Sequence, residues 1–195
     1  DAFNTYLNAF MDSAAVHNDK PFALFFFPLA PHTPNVPRAT DAAMYNAEVK
    51  PFPENFYPYD TLYPTYYTDP GSLWVKDTTA TVKFIQDRYS CLYGVDENVS
   101  KIMLHLDDTH ETDSSIIFFT SDNGYLIGEH MMRAKVMPLE ESIRVPLYVR
   151  YPAWFPAGQF IDNDLAELID IPKTILDAIG IPDTFGFMGK SLRDL

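Results

Sequence analysis

The segment Phe22–Phe27, with the sequence FALFFF, constrains the fold more than any other part of the chain. It is a continuous apolar and aromatic run between Pro21 and Pro28, and such runs are typical of strands that are buried on both faces. A strand of this kind belongs to a parallel sheet that helices cover on either side. The longest apolar stretch, residues 22–30, has about nine residues and is too short to span a bilayer.

Helical periodicity alternates with such apolar runs along the rest of the sequence. The spacing of apolar residues predicts helices over residues 2–16, 76–93, 96–109 and 164–179. We expect the second helix to end near Gly94, the third to be capped by Asp96 and the last to be closed by Gly180.

Further strands are predicted at residues 115–120 and 145–150, and a turn is predicted at 17–21. The alternation of buried strands with helices predicts the α/β class, as a sandwich with a mainly parallel sheet.

Residues 28–70 differ in composition from the rest. Ten of the 16 prolines lie between Pro21 and Pro70, and six of the 12 tyrosines lie between Tyr45 and Tyr67. Proline removes the backbone donors that helices and sheets need, so we expect a long irregular loop. Its aromatic residues indicate a loop packed on the surface, which either lines a ligand site or only covers the core.

The charge balance narrows the classes of partner. With 27 acidic and 14 basic residues, the net charge of -13 would repel a phosphate backbone, which argues against nucleic acid. The hydrophobic fraction of 47% excludes a disordered chain. The carboxylates either form a soluble surface or include ligands of a metal. Cys91, the one cysteine, is interpreted as a small buried hydrophobe.

Asp122 and Asn123 stand where the predicted strand 115–120 becomes a loop, and Gly124 follows them. Ligands of open α/β sheets bind beyond the carboxyl ends of strands, and adjacent carboxylate and amide oxygens suit Ca²⁺ or Mg²⁺. The alternative is an Asx-turn, in which both side chains bond only their own backbone.

Two further residues are candidates for chemistry. His32 lies between prolines after the first predicted strand, and is either a general acid or anion contact, or a loop histidine bonded to a carbonyl. Lys135, with Arg133 nearby, either neutralises an anionic substrate or is simply solvated. Glu129 and His130 are interpreted as residues that fix the loop.

Long stretches of this sequence resemble the sulfatase family of the alkaline phosphatase superfamily. The resemblance lies in KPFALFFFPLAPHTP at 20–34, YSCLYGVDENVSKIMLHL at 89–106, TSDNGYLIGEH at 120–130 with Lys135, LEESIRVPLYVRYP at 139–152 and IDIPKTILDAIG at 169–180. The TSDNG form and the region around Arg88 are most similar to glycan sulfatases, such as the N-acetylglucosamine-6-sulfatase branch.

The resemblance implies specific roles for four residues. Asp122 and Asn123 match two ligands of the family's calcium ion, for which Mg²⁺ is the alternative. Lys135 matches the lysine that contacts the sulfate group, and His32 matches the histidine near the leaving-group oxygen. The implied activity is hydrolysis of a sulfate monoester, on a glycan or a small molecule, in a secreted, periplasmic or lysosomal enzyme.

The sequence departs from the family at the nucleophile. Sulfatases convert the first residue of a Cys-x-Pro-x-Arg or Ser-x-Pro-x-Arg motif to formylglycine, whereas Cys91 is followed by Leu92, Tyr93 and Gly94. Residues 1–195 are therefore interpreted as the C-terminal portion of a sulfatase catalytic domain, inactive alone and completed by an N-terminal part that carries formylglycine. The alternatives are a phosphodiesterase or phosphonate hydrolase of the superfamily, or a non-catalytic relative that binds sulfated glycans.

Overall fold

The computed structural model describes residues 2–16, 20–47, 55, 78–130 and 132–195. The chain divides into two compact units, the first comprising Asp1–His110 and Tyr125–Ile143 and the second Glu111–Gly124 and Arg144–Leu195. Residues 17–19 of the predicted turn and much of the predicted loop, residues 48–54 and 56–70, lie outside the described residues. Residues 28–47 contain turns and no helix or strand, as the proline content predicts.

Two long helices dominate the first unit: α1 spans Ala2–Val16 and α2 spans Thr78–Asp108. The prediction for α1 is confirmed, and its Leu7 and Met11, four residues apart on one face, are buried. Among the described residues, no helix combines the length and the apolar character needed to cross a membrane.

The predicted break at Gly94 is wrong, because α2 runs for 31 residues without interruption. Asp96 consequently lies inside the helix and does not cap a new one. A glycine in a helix interior costs about 0.5–1 kcal/mol relative to alanine, which packing can offset. The guanidinium of Arg38 lies against Gly94, with its Cζ 3.6 Å from where a Cβ would stand, and it donates to Glu97 of the same helix at 2.6 Å.

The interpretation of Phe22–Phe27 as a strand buried on both faces is also wrong. This segment is neither helix nor strand, and it belongs to neither of the two sheets in the described part of the chain. Its side chains alternate between half-buried and exposed, and the rings of Phe25 and Phe27 stack on its exposed face at 6.2 Å between centroids. Hydrophobicity alone does not make a strand, because burial on both faces also needs neighbouring strands.

The first unit also contains a small hairpin and a short helix. Strands β2, Leu126–Ile127, and β3, Arg133–Ala134, pair antiparallel, and α3 spans Glu140–Ile143. Leu126 is fully buried and anchors the hairpin in the core of this unit.

In the second unit, β1 spans Ile117–Thr120 and β4 spans Leu147–Arg150. Both strands lie within the predicted ranges, and the α/β class is confirmed. Their pairing is antiparallel, with Ile117 opposite Arg150, which differs from the mainly parallel sheet that we predicted. The facing rings of Phe119 and Tyr148 are exposed, so this pair has one open face, as antiparallel pairs commonly do.

Helix α4 spans Asp170–Ala178, so it begins six residues later than predicted. The Asp170 carboxylate accepts hydrogen bonds from the backbone amides of Glu167 and Lys190, both at 2.8 Å, which holds the preceding segment in a non-helical path. Gly180 follows the helix at φ 68 and closes it as predicted, because the amide of Ile181 reaches back to the Leu176 carbonyl at 2.9 Å.

A short 3-10 helix at Leu192–Asp194 docks onto α4. The backbone amide of Leu192 donates to the buried Thr174 hydroxyl at 2.9 Å. Gly189 is required in this segment, since a Cβ there would lie 2.1 Å from the carbonyl oxygen of Ile169.

Candidate functional site

Asp122 and Asn123 lie in a turn, residues 121–124, that follows β1 directly. We call this segment the Asp122 turn. Its hydrogen bonds are local: Asp122 Oδ1 accepts from the Asn123 amide at 2.9 Å, and Asn123 Nδ2 donates to the Gly124 carbonyl at 2.7 Å. The Ser121 hydroxyl donates to the Asn123 carbonyl at 2.9 Å. Both side chains thus bond backbone groups one residue on, as the local alternative predicts, although an Asx-turn would bond the amide two residues on.

These bonds are compatible with metal binding. Asp122 is exposed, and its Oδ2 makes no hydrogen bond within the described residues. The Asn123 amide donates through Nδ2, so its Oδ1 is the atom able to bind a cation. Calcium takes six to eight oxygen ligands, and the described residues contain no cluster of three acidic, histidine or cysteine side chains. The turn therefore fits as two ligands of a site that needs more donors.

His32 is exposed and held by its own loop. Its backbone amide donates to the Leu29 carbonyl at 2.8 Å, and its Nδ1 lies 2.8 Å from the Thr33 carbonyl oxygen. A carbonyl only accepts, so Nδ1 carries a proton and Nε2 is the nitrogen that can exchange one. On sequence alone, a bond to a carbonyl is the alternative to a catalytic role. In the structure this bond orients the ring so that Nε2 is available for the catalytic role.

Arg88 of α2 joins this loop to the hairpin segment. Its Nη1 donates to the carbonyl of Pro31 at 3.3 Å, and its guanidinium lies 5.0 Å from the centroid of the Tyr125 ring. Sequence reasoning noted the region around Arg88 only as a family likeness and missed this contact. The sequence did contain one indication of it: Arg88 lies in the middle of a predicted helix with an apolar face.

Lys135 is half-buried at the start of a loop, residues 135–139, between β3 and α3. We call this segment the Lys135 loop. The buried Ser142 of α3 braces it, because its hydroxyl accepts from the amide of Met137 at 3.2 Å. Val136 stands beside the lysine at φ 71 and is exposed, a backbone conformation that β-branched residues rarely adopt.

A polar cluster of Asn55, His130 and Glu141 closes the Lys135 loop at its base. The Asn55 carbonyl accepts from the His130 amide at 2.8 Å, and Asn55 Nδ2 donates to Glu141 Oε1 at 2.7 Å. His130 Nε2 lies 3.3 Å from the same carboxylate oxygen. His130 and Glu141 flank the loop on either side in sequence, which supports the interpretation of His130 as a loop-fixing residue.

The pKa of the Glu141 carboxyl is lowered by its partners in this cluster. Burial opposes its ionisation, but hydrogen bonds from its own backbone amide and from Asn55, together with His130, outweigh burial and lower its pKa below 4.5.

Glu129, the other predicted loop-fixing residue, accepts from the Ile127 amide at 2.5 Å and so ties the hairpin turn to β2.

Cys91 is half-buried on α2. Burial, and then the nearby Asp87, raise the pKa of its thiol above the ordinary value. A thiol with a raised pKa is neutral at physiological pH and a poor nucleophile, in agreement with the expectation that Cys91 is not the catalytic cysteine.

Of the predicted site residues, His32 and Lys135 belong to the first unit, and Asp122 and Asn123 to the second. The four residues are thus divided between the two units, two in each.

The sulfatase family model matches residues 2–181, so the chain belongs to the sulfatase family. It is 32% identical over 111 residues to an N-acetylglucosamine-6-O-sulfatase of Bacteroides thetaiotaomicron, a match that covers 57% of this chain and 20% of the relative. It is 28% identical over 188 residues to a protein named as an extracellular sulfatase Sulf-1 homolog of Caenorhabditis elegans, covering 90% of this chain and 25% of that protein.

Among solved structures, the chain is similar to BT4656, which was solved in complex with its substrate D-glucosamine-2-N,6-O-disulfate. The TM-score is 0.79 at 22% identity, over 96% of this chain and 51% of that one. The fold is that of the alkaline-phosphatase-like sulfatases. The chain spans about a quarter or less of the length of the two relatives, so residues beyond these 195 have a large share in what such proteins do.

Proposed function

We propose that this chain forms part of a sulfatase that hydrolyses a sulfate monoester on a glycan. The observation that carries the proposal is the sulfatase family match over residues 2–181, a range that contains all four candidate site residues. We call the chain together with the nucleophile-bearing part of a sulfatase domain the complete enzyme. The names of the glycan sulfatases to which the chain is similar support a sulfated sugar as substrate.

We assign Asp122 and Asn123 as ligands of the divalent cation, proposed as Ca²⁺ with Mg²⁺ as the alternative. When bound, this ion polarises a sulfate oxygen. The two side chains offer hard oxygens in adjacent positions, and the local bonds of the Asp122 turn set the direction of the Asn123 amide.

Lys135 contributes a positive charge to the sulfate group. An ammonium group has three donors and no lone pair, so it binds the sulfate oxygens and not the metal. Charge of this kind, fixed before the reaction, stabilises the negative charge that develops on the oxygens in the transition state. The cluster of Asn55, His130 and Glu141 holds the loop that carries it.

His32 acts at the leaving group. Its Nδ1 is bonded to the Thr33 carbonyl, so Nε2 is left to hydrogen-bond the departing oxygen or to protonate it. The nucleophile belongs to a formylglycine motif that the 195 residues do not contain. The proposed compartment is extracellular, periplasmic or lysosomal, supported by the relative named as extracellular.

The test is an assay of the complete enzyme against N-acetylglucosamine 6-sulfate, a phosphodiester and a phosphonate monoester, beside the 195 residues alone. We expect turnover of the sulfate ester by the complete enzyme and none by the isolated chain. Turnover of only the phosphorus esters would replace the proposal with the hydrolase alternative. Binding of the sulfated sugar without turnover would identify a non-catalytic relative.

A further inference from the structure

The arginines of the described residues differ in their partners. Arg38, Arg150 and Arg193 each have a carboxylate oxygen within 4.0 Å. Arg88 and Arg133 have none within the described part of the chain, although acidic residues outnumber basic ones by 27 to 14. In a chain with this surplus of carboxylates, two neighbouring arginines without one need another explanation.

Arg88 and Arg133 share one aromatic ring. The guanidinium carbon of Arg133 lies 3.7 Å from the centroid of the buried Phe84 ring, and that of Arg88 lies 5.3 Å from the same centroid. Tyr125 adds a second ring beside Arg88. A ring contact of this kind is not a hydrogen bond to an oxygen acceptor, so it leaves the N–H donors of both guanidinium groups in need of acceptors.

Few of these donors have acceptors. Within the described residues, Arg88 donates one side-chain hydrogen bond, to Pro31, and Arg133 makes no recorded one. Both side chains are half-buried. Burial lowers the pKa of Arg88, and the neighbouring positive charge of Arg133 lowers it further.

Two half-buried cations side by side carry a cost in free energy that an anion between them would offset. Arginine is suited to this task, because its planar fork binds sulfate and carboxylate oxygens in pairs. The contact to Pro31 places Arg88 beside the loop that presents His32, the residue assigned to the leaving group. The anion is therefore expected on the leaving-group side of the substrate.

We propose that Arg88 and Arg133 bind a second oxyanion of the glycan, a sulfate or a uronate carboxylate, apart from the sulfate that is hydrolysed. The inference rests on the proposed function, since it assigns a part of the same substrate. It makes the enzyme selective for polyanionic glycans, through one pair of arginines within an acidic chain.

The experiment compares three ligands of the complete enzyme: a monosulfated hexosamine, the same sugar with a second sulfate, and a monosulfated disaccharide with a uronic acid. For the wild type we expect kcat/KM for at least one of the two doubly anionic ligands to exceed that for the monosulfated sugar by about tenfold or more. The preferred ligand distinguishes sulfate from carboxylate. In Arg133→Gln this preference disappears, because kcat/KM falls more for the doubly anionic ligand than for the monosulfated sugar.

Arg193→Gln is the matched control, because Arg193 also stacks on an aromatic ring, that of Trp154 at 4.9 Å, but has Asp177 as a partner. It should retain the wild-type preference. Thermal melting checks that each variant is folded, and Arg88→Lys, which keeps the charge but loses the fork, should lose part of the preference.

Calorimetric titration with the same ligands separates this inference from the proposed function. If no sulfate ester is hydrolysed, tighter binding of a doubly anionic ligand that is lost in Arg133→Gln would still support the anion site. Equal kcat/KM and equal affinity for all three ligands, or a preference that survives Arg133→Gln, would overturn it and leave the arginines as packing for Phe84.

Discussion

The base of the Lys135 loop is bonded by a residue far away in the sequence, whereas the hydrogen bonds described for the Asp122 turn join immediate neighbours. Asn55 reaches His130 across 75 positions and Glu141 across 86, while every recorded bond in the Asp122 turn joins residues one or two positions apart. The lysine proposed to bind sulfate thus lies in a loop bonded by distant residues, and the proposed metal ligands lie in a turn whose described bonds are local.

The largest effect is expected from Asp122→Ala in the complete enzyme. The variant loses a charged hard-oxygen ligand, so metal content and activity should fall together, with activity reduced by about a thousandfold or more. Metal analysis of the purified protein and an assay with added Ca²⁺ measure both, and excess Ca²⁺ should restore part of the activity. Full metal content in this variant would remove Asp122 from the site.

Lys135→Ala should slow hydrolysis but leave the metal bound. Loss of one fixed charge contact costs roughly 3–4 kcal/mol, or about a hundred- to a thousandfold in kcat. The same metal analysis distinguishes the two variants, since an ammonium group is no metal ligand. A loss of metal in Lys135→Ala with retention in Asp122→Ala would reverse the two assignments.

Glu141→Gln tests the distant contacts of the Lys135 loop. The pKa of Glu141 is lowered, so its ionised form stabilises the folded protein at pH values above 4.5, and this contribution is lost as the pH falls through the lowered value. We expect the variant to be less stable by about 1–3 kcal/mol near neutral pH. The difference should shrink in acid, as urea unfolding at several pH values would measure.

Glu167→Gln is the control for that series, because Glu167 is exposed and no hydrogen bond of its carboxylate is recorded among the described residues. It should show little change at any pH. If the difference in unfolding free energy between wild type and Glu141→Gln grew as the pH fell, the predicted direction of the pH dependence would be wrong.

The smallest effects come from a matched pair of serines. Ser142→Ala removes a buried hydroxyl and leaves the half-buried Met137 amide without its acceptor, at a cost of about 1–2 kcal/mol in stability. Ser121→Ala removes a bond within a partly exposed turn, and should cost about 0.5 kcal/mol. Urea unfolding of both variants measures the contrast, and equal losses would mean that the two segments are braced alike.

Local chemistry explains what could be predicted from the sequence. Helix α1, strand β1 and the Gly180 closure depend on residues a few positions apart, and periodicity or a single glycine reveals them. The candidate site residues were proposed from their place after apolar runs and from a family likeness. Their roles stay predictions.

What the sequence did not reveal depends on distant contacts. Gly94 is helical because Arg38 packs over it, and Arg38 is bonded to a glutamate 59 positions away. The contact of Asn55 with Glu141 and the shared ring of Arg88 and Arg133 are of the same kind. No pattern within a short window carries that information.

Because α2 is continuous, it sets the distance between two contacts with residues 31–38, the segment that carries His32. Arg88 binds this segment at Pro31 and Glu97 binds it at Arg38, so two points on one rigid rod, roughly 13.5 Å apart at 1.5 Å per residue, fix its two ends. Inserting one residue between them would turn one anchor by about 100° relative to the other, and only one could then hold. Substitutions between Arg88 and Glu97 are therefore tolerated far more easily than insertions or deletions. Gly94, where the sequence predicted the end of a helix, lies between these two residues.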